Sequence, residues 1–569
     1  MQYLLRVNMS TRNIRYDPVP EAYRDLGGRL LTARILSDEI NPACDPLGRH
    51  NKLVFATGLL AGTPVSSTGR LSIGGKSPLT KGIKESNSGG TLAARLAQMQ
   101  IKALILEGLP QEATPCILII EPQGSRLVPA GEHQETGVYA FAQAMLQEYP
   151  GASLACIGPA GERLYNAAGV AVTDTDGCPS RYCGRGGLGA VMGAKGLKGV
   201  IIPEKGKAPV AREEDFKDAL KRYTQTIKEA PSTQAYRDFG TAAMLDRVNG
   251  LKGLPTRNFS QGIFEQAEQI NAQALVKHIT ERGGESRQSH ACMPGCIIRC
   301  SNVYADQDGK TIVSPLEYEN LALLGANLGI GDMDAVARLN WHCNDIGVDT
   351  IEMGCALGVA MEAGLASFGD GKAALDLLED VRQGTPLGRV LGNGSGITAE
   401  VFGVRNVPVV KNQGMPGYDP RALKGMGVTY ATTAMGADHT CGPTARGEVD
   451  HASARDQADL SLKMQKLVSM FDCTGLCLFC IGALAPHPNL ILELINARFG
   501  WDKDLDWLNT MYLEMMRLEH DFNARAGFTK LDNRFNEAFT ERELPELGTV
   551  FDVPDAELDR ILKFMENKS

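Results

Sequence analysis

The segment Asp472-Cys473-Thr474-Gly475-Leu476-Cys477 decides how this 569-residue chain is read, because a second thiol group lies far upstream, in Cys292-Met293-Pro294-Gly295-Cys296-Ile297-Ile298-Arg299-Cys300. A close cysteine trio plus one distant cysteine is how a protein wraps an iron–sulfur cluster with four thiolates. Two plainer readings stay open. The trio could be core thiols, since free cysteine is a common buried hydrophobe. It could hold zinc, although structural zinc prefers two-residue spacing within each pair. The cluster reading is favoured because Pro294 and Gly295 break the loop, the polar stretch ERGGESRQSH precedes it, and no apolar helical stripe accounts for the thiols. Cys477 is then the fourth ligand; Cys473 is a bystander, and Cys480 is a bystander close enough to be a rival.

Working outward, Asn344-Asp345-Ile346-Gly347-Val348-Asp349 repeats the pattern of the 472–477 hexamer: a polar residue, two spacers, glycine, an aliphatic residue, then Asp or Cys. Two such hexamers suggest a duplicated grip on a two-halved cofactor. Asp472 and Cys477 are five residues apart, so they lie within about 18 Å of each other even if fully extended. One short loop would therefore touch two redox centres.

Composition bounds the class. The length suffices for roughly three or four domains. With 43% hydrophobic and 22% charged residues the chain has ordinary globular values. A formal charge of -9 argues against a nucleic-acid surface and supplies no membrane-attracting patch. Fourteen cysteines in a long acidic chain do not resemble a secreted disulfide scaffold, and reduced thiols in the cytoplasm fit better. The opening MQYLLRVNMSTR has too short an apolar stretch for a signal peptide. The most apolar window, LCLFCIGALAPHPNLILELI, is broken by prolines and a histidine and makes a poor membrane span.

The texture changes along the chain. Runs such as KLVFATGLLAGT, ALILEGL, CILIIEP and GVIIPEK, punctuated by glycine, predict a largely β unit over residues 1–207, with few helices. Apolar residues at helical spacing in DFKDALKRYTQTIKEA, DAVARLNWHCNDIG and DTIEMGCALGVAMEAGL predict a helical unit over 208–395, and SLKMQKLVSMFD and LDWLNTMYLEMMRLEHDFNARAG another over 396–569. The fold class is α+β. No internal repeat stands out.

Three smaller motifs remain. Gly184-Arg185-Gly186-Gly187-Leu188-Gly189 matches the dinucleotide fingerprint formally but lacks the preceding strand and the long following helix. Its glycines, with Arg181, Arg185, Lys195 and Lys198, suggest amides and cations meeting a phosphate or another anion. Ser86-Asn87-Ser88-Gly89-Gly90 reads as an ordinary N-cap, or as free amides holding an anion at a helix start. Glu317 and Glu319 flank an apolar helical run, and if the segment is extended at most one of them faces a pocket. His439 lies among turn residues, where histidine more often hydrogen-bonds than catalyses.

In order, KLVFATGLLAGT, TGRLSIGGKSPLTKGIKESNSGG, SRYCGRGGLGAVMGAKGLKG, EYENLALLGANLGI, NDIGVDT and DCTGLC resemble the aldehyde ferredoxin oxidoreductases over nearly the whole chain. These are tungsten or molybdenum enzymes with two pterin dithiolenes on the metal. The resemblance implies a β-rich N-terminal domain forming a base for the bis-pterin, covered by two mostly helical domains. It implies that Arg70, Asn87, Gly89, Gly90 and Arg185 contact pterin or its phosphates, a magnesium ion bridging those phosphates, and that Asn344 with Asp349, and Asp472 with Leu476, hold the two pterins. It implies a 4Fe-4S cluster, which the cysteine reading places on Cys292, Cys296, Cys300 and Cys477. Glu319 matches the family's active-site glutamate and His439 a histidine bonding the substrate oxygen; Glu317 is the fallback. The implied reaction takes an aldehyde-like small molecule to a carboxylate and passes electrons to a ferredoxin-like partner, and the assembly admits a homodimer.

Two departures mark a divergent branch. The family spaces its cysteines by two then three residues, whereas here the spacing is three and three; Ser289 stands where the first thiolate would fall, and Cys300 is extra. The first hexamer opens on Asn344 where the family often has Asp, keeping an acceptor without charge. The alternatives are the same cofactor running another redox reaction, such as acid or thioester reduction, and an electron-transfer or scaffold subunit with an inactive metal site.

Overall fold

The apolar runs of the N-terminal third become two six-stranded sheets in the computed structural model, which describes residues 2–112 and 114–566. The first contains β1 (Tyr3–Asn8), β2 (Asn13–Pro18), β3 (Leu53–Thr57), β4 (Leu71–Lys76), β5 (Ile83–Ser88) and β6 (Ile101–Glu107), in the order β2-β1-β6-β3-β4-β5. The second contains β7 (Cys116–Glu121), β8 (Gly124–Pro129), β9 (Ser153–Cys156), β10 (Val170–Val172), β11 (Arg181–Cys183) and β12 (Leu197–Ile202), in the order β8-β7-β12-β9-β10-β11. The two orders are the same. Each sheet also has one parallel pair in the same place, β1 with β6 and β7 with β12, the other pairs being antiparallel. The base is thus an internal duplication, which the sequence does not announce as a repeat. Central strands such as LVFAT are wholly buried, while the edge strand NIRYDP is polar and exposed, as edges need to be.

The sheets pack face to face through Leu5, Phe55 and Ile73 from one and Leu118, Val172 and Val200 from the other. Truncating Phe55 to alanine there would cost about 3–5 kcal/mol. The duplication extends to helices: α1 (Gly28–Glu39) and α2 (Leu92–Gln98) belong to the first sheet, α3 (Val138–Glu148) and α4 (Leu188–Ala194) to the second. The expectation of few helices here is therefore corrected. The helix α1 escapes a periodicity reading because Arg29, Leu30, Leu31, Thr32, Ala33, Ile35 and Leu36 are all buried, leaving no polar stripe.

Beyond residue 207 the chain is mostly helical, as the spacing predicts, with two small β insertions: β13 (Arg287–His290), β14 (Ser301–Ala305) and β15 (Thr311–Val313) form an antiparallel sheet, and Val409–Val410 pairs with Gln413–Gly414. The cysteine trio is the loop joining β13 to β14. Both hexamers are helix C-termini. The helix α5 (Met333–Ile346) ends on Gly347 with φ +83°, and α7 (Gln457–Thr474) on Gly475 with φ +79°, the chain between them including α6 (Thr350–Glu362). In each, the aliphatic residue after the glycine returns its amide to an earlier carbonyl, Val348 to Cys343 O (3.0 Å) and Leu476 to Phe471 O (2.9 Å). The polar-x-x-Gly-aliphatic pattern is the signature of this left-handed helix stop. A last long helix, α8 (Leu505–Arg525), packs on α1 and α7.

Candidate active site

Each half of the duplicated base grips one hexamer. At the end of β3, Gly58 lies so close to Gly475 that a side chain would collide with its backbone; at the end of β9, Gly158 lies in the same way against Ile346 and Gly347. The helix starts repeat the theme. On α1, Gly28 (φ +48°) abuts the Asp472 carbonyl and Arg29 Nη1 donates to Asp472 Oδ2 at 3.2 Å. On α3, Gly137 abuts the Asp345 carboxylate, and Asn344 Nδ2 meets the Tyr139 hydroxyl at 3.3 Å. The repeated hexamers thus belong to two equivalent half-sites, one built on a charged pair and the other on a neutral one.

Between them lies a cavity of about 260 Å³, with Glu85, Asn87, Ser180 and Tyr182 on the base side and Glu319, Asn344, Asp349 and His439 on the helical side. Arg70 lines it too, donating through Nε to Asn87 Oδ1 at 2.7 Å and through Nη2 to the Asn87 carbonyl at 3.0 Å. Arg185 is buried in the wall; its Nε donates to Asp349 Oδ2 at 3.1 Å, its Nη atoms to the carbonyls of Ala437 and Gly414, and these negative neighbours hold its charge against burial. Beside it Lys84 Nζ donates to Asp438 Oδ2 at 2.7 Å, both buried, and despite burial the Lys84 charge, with Arg185, pulls the Asp438 carboxyl far below its ordinary range. Leu476 is buried and Asp472 half-buried, and Asp472 feels the charges of Arg70, Asp438 and Glu85, all cavity residues.

Glu317 and Glu319 both line the cavity, which corrects the extended-chain expectation that only one could. The segment is a helix start: Glu317 is the N-cap, and the helix widens into a π-turn over Leu321–Gly325 within one turn of it. Such π-turns recur at functional sites. Glu317 is engaged by the Thr241 hydroxyl. Glu319 Oε2 accepts from the Gly417 amide at 2.8 Å, but Oε1 is buried without a partner. His439 Nε2 stands 3.4 Å from that Oε1, misaligned for a hydrogen bond, and His439 Nδ1 is also unpartnered. Burial raises the Glu319 pKa above the ordinary carboxylate value against the opposing pull of His439 and the Gly417 amide. An unpartnered buried oxygen and an unpartnered ring nitrogen are what a substrate and its proton would satisfy.

The four cysteines gather beneath the Arg70 side. Cys300 feels Cys292, Cys296 and Cys477, and Cys292 and Cys477 each feel Cys296. Cys296, Cys300 and Cys477 are buried and Cys292 is half-buried by surface; burial pushes the Cys292 thiol up to about 12. Arg70 stabilises negative charge on Cys292 and Cys477, and Arg181 on Cys292, so cations already face the sulfurs. Ser289 does not join them; its Oγ donates to the Arg299 carbonyl at 2.9 Å. Cys473 instead faces Asp472, Arg29 and Glu519, whereas Cys480 feels Cys477 and Cys296 and hydrogen-bonds with the Tyr223 hydroxyl. Among the described residues no three His, Cys, Asp or Glu side chains converge tightly enough for a single metal ion. Four mutually interacting thiols that do not converge on one point fit a multi-iron cluster better than zinc.

The remaining expected residues lie apart from the cavity. Gly89 and Gly90 back onto the cysteine loop: a side chain at Gly89 would meet Cys292 Sγ, and the Gly90 amide donates to the Cys292 carbonyl at 3.0 Å. Of the four cations grouped with the glycine motif, only Arg181 and Arg185 turn to the site. Lys195 is drawn to the Gly48 carbonyl and Lys198 to Glu162. Sequence reasoning missed Glu85 and Arg29. No spacing marks them; their only signal is their position in a duplicated strand and helix that the sequence hides.

Two family models match the chain. The family model described as the N-terminal domain of aldehyde ferredoxin oxidoreductase matches residues 4–204, and the one described as its domains 2 and 3 matches 218–564. The chain is similar to a tungsten-containing aldehyde ferredoxin oxidoreductase of Thermococcus kodakarensis, 31% identical over 572 positions that cover 95% of this chain and 92% of that one. It is more distantly similar to an aliphatic sulfonate oxidoreductase, WOR-like subunit, of Pyrococcus furiosus, 25% identical over 538 positions covering 87% and 81%. Its fold matches the active-site complex BamBC of benzoyl coenzyme A reductase with 1,5-dienoyl-CoA, at a TM-score of 0.81 and 20% identity over 99% of this chain and 94% of that one.

Proposed function

Because the chain belongs to the aldehyde ferredoxin oxidoreductase family, we propose that it is a tungsten- or molybdenum-dependent oxidoreductase that takes an aldehyde-like substrate to a carboxylate and delivers electrons through a 4Fe-4S cluster to a ferredoxin-like acceptor. The observation that carries this reading is the 472–477 loop, whose Gly475 carbonyl accepts from the amide of the cavity residue Arg70 at 3.3 Å while its last residue, Cys477, joins the thiol group. The fit of the residues to the group supports it: two glycine-floored half-sites for a two-halved cofactor, and four thiols with cations beside them.

In this reading Arg70, Asn87, Arg185, Asn344, Asp349, Asp472 and Leu476 hold the bis-pterin, with a magnesium ion on its phosphates, while Gly89 and Gly90 let the base approach the cluster loop. Cys292, Cys296, Cys300 and Cys477 ligate the cluster. When bound, the metal would polarise the substrate carbonyl or supply an oxygen nucleophile, as metal sites do. The chain's own work is proton handling and orientation. Glu319, anchored at one oxygen by Gly417, takes a proton at the other, and a carboxyl raised by burial is tuned toward that task near neutral pH. His439 bonds the substrate oxygen through its free nitrogen. The cysteines, all unpaired, suit a reducing cytoplasm, and no single helix among the described residues is long and apolar enough to cross a membrane. The chain divides into its three units near residues 207 and 395.

A related reading keeps the cofactor and changes the substrate, since a relative is named for aliphatic sulfonate. Elemental and pterin analysis of anaerobically purified protein tests the reading: about four iron with tungsten or molybdenum and pterin supports it, whereas iron alone leaves an electron-transfer subunit. A substrate panel with viologen dye as acceptor then separates aldehydes from sulfonates and thioesters.

A further inference from the structure

The duplicated base is its own control. Ala56, Ser72 and Asn87 are aligned across β3, β4 and β5 as Cys156, Ala171 and Tyr182 are across β9, β10 and β11. Counting back two residues from Asn87 and Tyr182, Glu85 stands where the other half has Ser180, and both line the cavity. At the helix starts, Arg29 likewise stands where the other half has Tyr139, and at the first place of the hexamer Asp472 stands where the other has Asn344. One half-site therefore carries Arg29, Asp472 and Glu85, and the other Tyr139, Asn344 and Ser180.

Ser180 is satisfied, its Oγ donating to Asp174 Oδ2 at 3.0 Å. Glu85 is not: it is 6% exposed, and its Oε1 has no partner. We propose that Glu85 is a further residue of the cofactor site, whose free oxygen hydrogen-bonds the half of the cofactor held by Asp472 and Arg29. This rests on the bis-pterin reading above.

The charge balance says which form of Glu85 does so. Facing it are Arg29 from α1, Asp472 from α7, Glu519 from α8, Ser72 from β4 and Cys183 from β11. Arg29 is the cation that lowers it, and it is already bound by Glu519, Nε and Nη2 each donating at 2.8 Å. Burial first, then the neighbouring Asp472 charge, pushes the Glu85 carboxyl up to about 7 despite Arg29. A neutral carboxylic acid can donate as well as accept. Below about pH 7 the donor is present; as pH rises through that value it is lost and a second charge appears beside Asp472. The grip on this half of the cofactor should weaken in that direction. The Tyr139–Asn344–Ser180 half has no carboxyl at the equivalent places and should not respond.

The test uses holoprotein purified anaerobically, as wild type, Glu85→Gln and Glu85→Ala, with pterin per chain measured by fluorescence after oxidation and dialysis from about pH 6 to about pH 8.5. Circular dichroism and thermal melting check the fold. Glu85→Gln, a permanent neutral donor, should match wild type at low pH and abolish the decline above pH 7. Glu85→Ala should lose pterin several-fold at every pH with its fold intact. Should Glu85→Ala fail to fold, the pH profile of Glu85→Gln decides alone: an unchanged decline overturns the inference. A folded Glu85→Ala with full pterin overturns it also. Wild type without pterin sinks the cofactor reading and this inference together, whereas loaded wild type beside an indifferent Glu85→Ala sinks this inference only.

Discussion

Glu319 Oε1 and His439 Nε2 face each other at 3.4 Å, and neither the oxygen nor the second ring nitrogen has a partner. Glu319→Gln preserves the shape and the Gly417 contact but cannot take a proton. Turnover should fall roughly 100-fold or more with iron and tungsten or molybdenum contents unchanged, the scale of a lost general base. Glu317→Gln should be much milder, because Glu317 is tied to Thr241 and caps its own helix. Steady-state assay with a viologen dye separates the two; the reverse ranking would move the proton chemistry to Glu317.

The same environment sets a pH limb. Burial raises the Glu319 pKa, and a base works only when deprotonated. Activity should therefore fall as pH is lowered through a value above the ordinary carboxylate range, and that limb should vanish from the residual activity of Glu319→Gln. A kcat/KM profile of the loaded enzyme shows whether the limb belongs to this residue.

Iron per chain tests the thiol assignment. Serine at Cys292, Cys296, Cys300 or Cys477 should each lower iron content and bleach the brown absorbance, and serine at Cys473 should not. Cys480→Ser is the discriminating variant, since Cys480 lies near enough to Cys477 and Cys296 to feel their charge. Full iron in Cys477→Ser together with loss in Cys480→Ser would exchange their roles.

Much of this was legible in residue order, and the illegible part has a common cause. The cysteine trio, the hexamers and the 207 break in texture announce themselves because each is a local pattern: thiol spacing, a left-handed helix stop, a change of apolar period. The duplication of the base is not local. Its halves share strand order and register while the aligned side chains differ, Asn87 against Tyr182 and Glu85 against Ser180, so no repeat survives in the letters. The helix α1 was missed because it is buried around most of its circumference and shows no stripe. Lys195 and Lys198 were grouped with an anion site by proximity in sequence, yet lie at the start of β12 and just before it, where they bind Gly48 and Glu162 instead.

Arg29 is 3% exposed and bridges Glu519 and Asp472 from three different helices. Arg29→Met leaves the buried Glu519 and the half-buried Asp472 without their cation and should destabilise the chain by about 3–5 kcal/mol in denaturant unfolding. Adding Glu519→Gln should recover part of that loss, because the larger uncompensated charge is gone. Strict additivity of the two substitutions would show that the contact is incidental.

The Glu85–Asp472 pair predicts how the cofactor-free chain responds to pH. Burial lifts Glu85 to about 7 and Asp472 to about 6, both above their ordinary values of 4.5 and 3.8. A carboxyl whose folded pKa is raised binds its proton more tightly when folded than when unfolded. Its contribution is fully present below the unfolded value and is lost as pH rises through the folded one. The stability this pair contributes should therefore decline between about pH 4 and pH 7, the span from the lower unfolded value to the higher folded one. Glu85→Gln removes one titrating group and relieves Asp472 of its neighbour, so its decline should be shallower and end earlier. Urea unfolding at half-unit pH steps measures both slopes, and identical slopes would mean that the two carboxyls do not share their proton.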